Sequence, residues 1–225
     1  MKKYMLMAAM AIMGLSSCGQ TQPQPSEGSH TDFALSFFKA VSSSAKPGEN
    51  VVASPYSAGV ALSMLTEGAA GQTKGELDNA LNGCLFMPEP MGDSETVTVK
   101  SANSIWISDN FSVRNRFVAH MEDDFKADVE VMDFADPATL QSMNRWCADN
   151  TDGKITKIKD SLSPNNVMIL ANALYFKAPW ENQFDPKATQ EETFHGRSGD
   201  AEVKMMYRKG AYEYMEYQGC QIAEL

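Results

Sequence analysis

The sequence predicts a single α+β domain, and three observations carry that reading. Residues 167–176 form an unbroken apolar run interrupted only by Asn172, the mark of a β-strand covered on both faces. Phe33, Phe37 and Val41 recur at helical spacing, as do Ala58, Ala61, Leu62 and Leu65, so helices accompany the strand. No internal repeat or second linker divides the remainder, and 225 residues are enough for one sizeable domain.

The first residues are of a different kind. Lys2 and Lys3 precede an apolar stretch, 5–15, which is too short to cross a bilayer and has the length of a secretory signal's hydrophobic region. It ends in Leu15-Ser16-Ser17-Cys18, which resembles the bacterial lipobox. That resemblance implies a signal peptide over 1–17, lipidation of Cys18, and a membrane-anchored protein of the cell envelope, on its periplasmic face or at the cell surface. Residues 18–30 are rich in Gln, Pro, Gly and Ser, cannot pack a core, and read as a flexible tether.

From Thr31 the chain turns globular. Thr31 is placed to cap a helix bearing Phe33, Phe37, Phe38 and Val41. Val51-Val52 suggests a short strand. Ser54-Pro55 opens a second helix, a side-chain cap followed by a proline where no donor is needed. Its small residues let it lie deep. Thr73-Lys74-Gly75-Glu76 reads as a capping box for a short helix closed by Asn82-Gly83. Residues 84–95, with Pro88, Pro90 and Gly92, read as a loop.

A long strand follows over 97–107, turned at Asp109-Asn110. Phe117, Met121 and Phe125 sit at helical spacing, and 128–134 alternates as a strand does. Asp136-Pro137 opens a further helix through Leu140, Met143 and Cys147. After the run at 167–176, residues 181–190 are polar and loop-like. Residues 203–217 alternate well enough for one hairpin, and 221–225 look like a strand just beginning. The domain is therefore expected to be incomplete at its C-terminus.

Composition narrows the function. A net charge of −10 argues against a nucleic-acid surface, which needs clustered Lys and Arg. The cysteines after Cys18 (Cys84, Cys147 and Cys220) match no zinc or CxxC spacing, and the three histidines are isolated, so no metal or cofactor is expected. No hydrolase triad signature and no phosphate-cradling loop is visible, so the protein is not read as an enzyme. Asn172 stands out instead. A buried amide without partners costs about 1–3 kcal/mol, so it is either specifically paired or a defect.

Four stretches occur in an order and spacing that resemble the serpins, a family of serine protease inhibitors: NVVASPYSAGVALSMLTEGAAGQT, SANSIWIS, MNRWCADNTDGKI and NNVMILANALYFKAPWENQF. The resemblance covers about 32–225 and implies the serpin fold, helices packed around large β-sheets, with 31–225 as the N-terminal part of one domain. It also implies the mechanism: a target protease, serine or cysteine type, cuts a reactive loop that inserts as a strand into the main sheet, named sheet A. Ser54 and Ser57 on the deep helix and Asn172 on the strand then match the polar latch beneath that sheet. Trp180 matches the tryptophan where the loop enters.

The reactive bond, the loop and the next sheet strand would lie beyond Leu225, so the chain as written is expected to be inactive, with an unpaired apolar edge on 167–176. Residues 84–95 contain no Lys or Arg, so the heparin-type polysaccharide site that many members carry there is not expected. A non-inhibitory binding lipoprotein of the same fold is the alternative reading.

Overall fold

The structure is a computed structural model and describes residues 5–8, 29–46, 48–89, 94–163, 165–196 and 199–224. In chain order its first elements are β1 (Met5–Ala8), α1 (His30–Ser44), α2 (Pro55–Gly68), α3 (Gly71–Ala80), β2 (Thr98–Ser108), α4 (Asn115–Asp123) and β3 (Ala127–Met132). They continue with α5 (Pro137–Asn150), β4 (Met168–Lys177), a 3-10 turn at Pro186–Ala188, β5 (Gln190–Gly196), β6 (Gly199–Met205), β7 (Tyr214–Tyr217) and β8 (Cys220–Ala223).

The two longest apolar runs find each other. β4 pairs antiparallel with β2 from Thr98↔Lys177 to Ile107↔Met168, and β2 pairs parallel with β3 on its other side. The sheet order is β1-β4-β2-β3. Because side chains alternate along a strand, each strand feeds two cores. On one face Ile105, Ile107, Met168 and Leu170 meet α1, α2 and α4 through Phe37, Val60, Met64 and Met121. On the other face Trp106, Ile169 and Ala171 meet Met143 and Trp146 of α5.

The deep position of α2 follows from its small residues. Gly59 lies against the Phe86 ring so closely that a Cβ there would be 2.5 Å from it. Ser54 caps the helix by accepting the Ser57 N–H, and Pro55 occupies the first helical position.

Several expectations need correction. Ser29, not Thr31, caps α1; the Ser29 hydroxyl accepts the Thr31 N–H and the helix begins at His30, whose ring packs 4.3 Å from Phe86. Val51-Val52 forms no strand. α3 begins at Gly71, whose φ of +59° lets the chain turn straight out of α2, and Glu76 accepts from Gln72 inside the helix rather than closing a capping box. The alternating text of 203–217 is divided between two hairpins, β5–β6 and β7–β8.

β4 is not covered along its whole length. Ala171 to Tyr175 are buried, but Val167 and Phe176 are 52% and 40% exposed at the ends. Nor is its outer edge unpaired, since β1 lies antiparallel along Ala173 to Phe176. Residues 9–28, which include Cys18 and nearly all of the tether, lie outside the described residues.

Candidate functional site

Asn172 projects from the middle of β4 to the α2 side of the sheet, on the same face as Met168 and Leu170, and is 4% exposed. Its register partner on β2 is Asn103, itself 2% exposed. The Asn172 Nδ2 donates to Asn103 Oδ1 at 2.8 Å and to Ser101 Oγ at 3.2 Å. Asn103 Nδ2 in turn donates to the Phe125 carbonyl at 2.7 Å, just before β3. The amide is therefore neither a defect nor a mere satisfier of nearby backbone. It starts a side-chain relay that runs from β4 across β2 to the segment just before β3.

The relay leaves capacity unused. Among the described residues, Asn172 Oδ1 and Ser57 Oγ are the buried side-chain oxygens without a hydrogen-bond partner. Both belong to the layer where α2 packs on β4. The three residues matched to a polar latch thus lie at one interface, but neither serine bonds to Asn172: Ser54 Oγ accepts the Ser57 backbone N–H, Ser57 Oγ has no partner, and Asn172 bonds to β2. Asn103, which sequence reasoning missed, is the amide's actual partner. Its signal was present, because position 103 shares parity with the inward-facing Ile105 and Ile107.

On the opposite face of the same strands every contact is fixed. Trp106 is 1% exposed and packs edge-on against Trp146 of α5 at 5.3 Å. The Trp146 Nε1 donates to Asp128 Oδ2 of β3 at 2.9 Å. Lys100 of β2 reaches Asp152, beyond α5, at 3.5 Å. The helix is pinned across three strands.

At the end of the sheet where β4 stops, Trp180 is 41% exposed and stands edge-on to Phe184 at 6.1 Å. Together with Pro179, Pro186, Thr98 and Met206 these rings line an open cavity of about 440 Å³. Sheet pairing ends at Lys177, two residues before Pro179, which has no N–H to offer a ladder. The cavity is a mouth at the top of the β2–β4 pair.

Elsewhere the described residues offer little chemistry. No cluster of three His, Cys, Asp or Glu among them could hold a metal. Burial pushes the thiols of Cys84 and Cys147 above their ordinary range, which makes them poor nucleophiles. No helix among the described residues is long and apolar enough to cross a membrane.

Comparison with known proteins settles the family. The family model described as Serpin (serine protease inhibitor) matches residues 28–225. The chain belongs to the serpin family. A human relative, plasma protease C1 inhibitor, is 31% identical over 181 residues, covering 79% of this chain and 36% of that protein. A serpin-like protein of Thermococcus kodakarensis is 28% identical over 218 residues, 91% of this chain and 50% of its own length.

Solved serpins superpose well. The Arabidopsis serpin AtSerpin1, in its native stressed conformation, gives a TM-score of 0.75 at 26% identity, covering 86% of this chain and 54% of that one. The thermophilic serpin tengpin, in its latent state, gives 0.72 at 29% identity, with 84% and 54% covered. The expected α+β serpin fold is thus established. This serpin chain spans about half the length of the relatives it matches, in a family of protease inhibitors rather than enzymes.

Proposed function

We propose that this chain is part of a protease inhibitor that traps a serine protease by inserting its cleaved reactive loop beside β4. One observation carries the reading. Beneath an otherwise apolar strand pair lies a polar relay, Asn172 to Asn103 to the Phe125 carbonyl, beside two buried oxygens still open to a donor. Such a layer can hold the sheet shut and exchange partners when it parts, whereas apolar packing defines no opening point. The β4 edge also supports the reading: its residues 173–176 take a further strand, β1, and β1 lies within the proposed signal peptide, whose cleavage would leave that edge open. In this account Ser57, Asn172 and Asn103 form the latch, Ser54 fixes the end of α2 that carries Ser57, and Trp180 stands at the mouth where the loop enters.

We further propose that the protein is exported and anchored through lipidated Cys18, with 1–17 as the signal peptide and the cell envelope of a bacterium as its location. The basic, apolar and small-residue order of 2–18 supports this. The target is a protease rather than a nucleic acid or a sulfated polysaccharide, in keeping with the net charge of −10 and the absence of Lys and Arg over 84–95.

The experiment uses the protein extended to the full length of its relatives. The full-length product is mixed with a panel of serine and cysteine proteases and resolved under denaturing conditions. A covalent complex with at least one protease is the expected result. Cleavage without complex across the panel would point instead to a non-inhibitory binding protein. Labelling with radioactive palmitate, lost in Cys18→Ser, tests the anchor.

A further inference from the structure

His120 lies on α4 and ties together two helices that flank the asparagine layer. Its Nδ1 is 2.5 Å from Asp124 Oδ2 and its Nε2 is 3.1 Å from Glu67 Oε2. Glu67 sits in the last turn of α2, and Asp124 is the C-cap of α4. Each carboxylate thus lies at the negative end of a helix dipole, where an anion is disfavoured. One imidazole answers both. A neutral ring has a single N–H, so it can donate to one carboxylate and must turn a lone pair toward the other, whereas the imidazolium donates to both.

We propose that protonated His120 is a clasp between α2 and α4, and that its deprotonation at rising pH loosens α4 and the start of β3 from α2. The junction is built for close contact. Gly68, the last residue of α2, lies under the Phe117 ring of α4, where a Cβ would come within 2.8 Å. The His120 ring stands edge-on to Phe125 at 5.7 Å, and the carbonyl of that buried phenylalanine accepts from Asn103. The clasp therefore adjoins the end of the relay.

Few other charges compete for the ring. Glu67 is the sole charged residue of α2. On α4 and its end stand Arg116, Glu122, Asp123 and Asp124. Lys126, before β3, donates to the Asp123 carbonyl. In β3, Asp128 accepts from Trp146 and Glu130 is exposed. On α3, packed beside α2, Lys74 pairs with Asp78 and Glu76 accepts from Gln72. The bond to Asp124 raises the pKa of His120 above its ordinary 6.5, with desolvation opposing and Glu67 adding to the rise. A group whose folded pKa is raised stabilises fully below its unfolded value. Here the contribution is complete below 6.5 and is lost as pH climbs through the raised value.

The test is an NMR titration of the 225-residue chain labelled with ¹⁵N-histidine, with H120Q assigning the resonance. His120 should titrate above 6.5 with both nitrogens protonated on the acid side, and E67Q should bring the midpoint down. Hydrogen-exchange protection of the α4 amides, corrected for intrinsic rates, should fall across the titration in the parent and stay flat in H120Q. E67Q keeps the ring in place and serves if H120Q folds poorly. A midpoint at or below 6.5, one that E67Q leaves unmoved, or α4 protection independent of pH would overturn the clasp.

Discussion

The two faces of the β2–β4 pair are built on opposite principles. Toward α5 the strands present Trp106, Ile169 and Ala171, and the helix is pinned by the Trp106–Trp146 contact and by the Trp146 hydrogen bond to Asp128. Every polar group named there has its partner. Toward α2 the same strands present two asparagines in register, one relay, and two buried oxygens left open. The first face resists any change of geometry, because tight aromatic packing has one good arrangement. The second can trade partners at small net cost, because one hydrogen bond replaces another. In the proposed mechanism the sheet stays closed and parts along one line, and the two faces suit those two demands.

Mutations can break or sharpen this contrast. The largest effect belongs to the α5 face: Trp106→Ala, which empties a fully buried aromatic site, should cost about 3–5 kcal/mol in urea unfolding. On the α2 face, Asn103→Leu should cost more than Asn172→Leu, both within about 1–3 kcal/mol, because it takes the side-chain donor from the Phe125 carbonyl and one of the Asn172 amide's two acceptors, whereas Asn172→Leu spares the Asn103–Phe125 bond and removes an oxygen that is already unpaired. Equal costs, or the reverse order, would place the relay's centre elsewhere. Ser57→Ala should be neutral or slightly stabilising, within about 1 kcal/mol, since its hydroxyl is buried without a partner. Marked destabilisation would reveal a partner for it. Lys100→Ala should be the mildest, below about 1 kcal/mol, because the Lys100–Asp152 pair is half-exposed.

Much of this was legible beforehand, and the exceptions have physical causes. A long apolar run with one amide announces both a buried strand and a special residue, so β4 and Asn172 could be read directly. Asn103 was hidden because SANSIWIS mixes polar and apolar residues at its start. Only the parity shared with Ile105 and Ile107 shows that 103 points inward. Ser54 and Ser57 stand at the start of α2, as N-cap and third helical residue, yet their hydrogen bonds cannot be read from spacing, since capping and latching use the same hydroxyl type.

The C-terminal hairpins were merged because their turn chemistry is unusual. Gln218 and Gly219 both adopt positive φ, 47° and 79°, as a two-residue hairpin turn requires, but Gln seldom fills the first place. The cap of α1 was misplaced by two residues because Ser29 sits at the edge of a polar stretch that otherwise resembles a linker. Local text cannot rank two hydroxyls only two residues apart. Packing of His30 on Phe86 decides between them.

The central claim is that the asparagine layer governs opening rather than stability alone. It is tested most directly by the stoichiometry of protease inhibition and the monomer fraction of Asn172→Leu, measured in the protein extended to the full length of its relatives. The account predicts more inhibitor consumed per protease trapped, or polymers on mild warming, beyond what the variant's loss of stability explains. Parent-like stoichiometry from a persistently monomeric variant would contradict it.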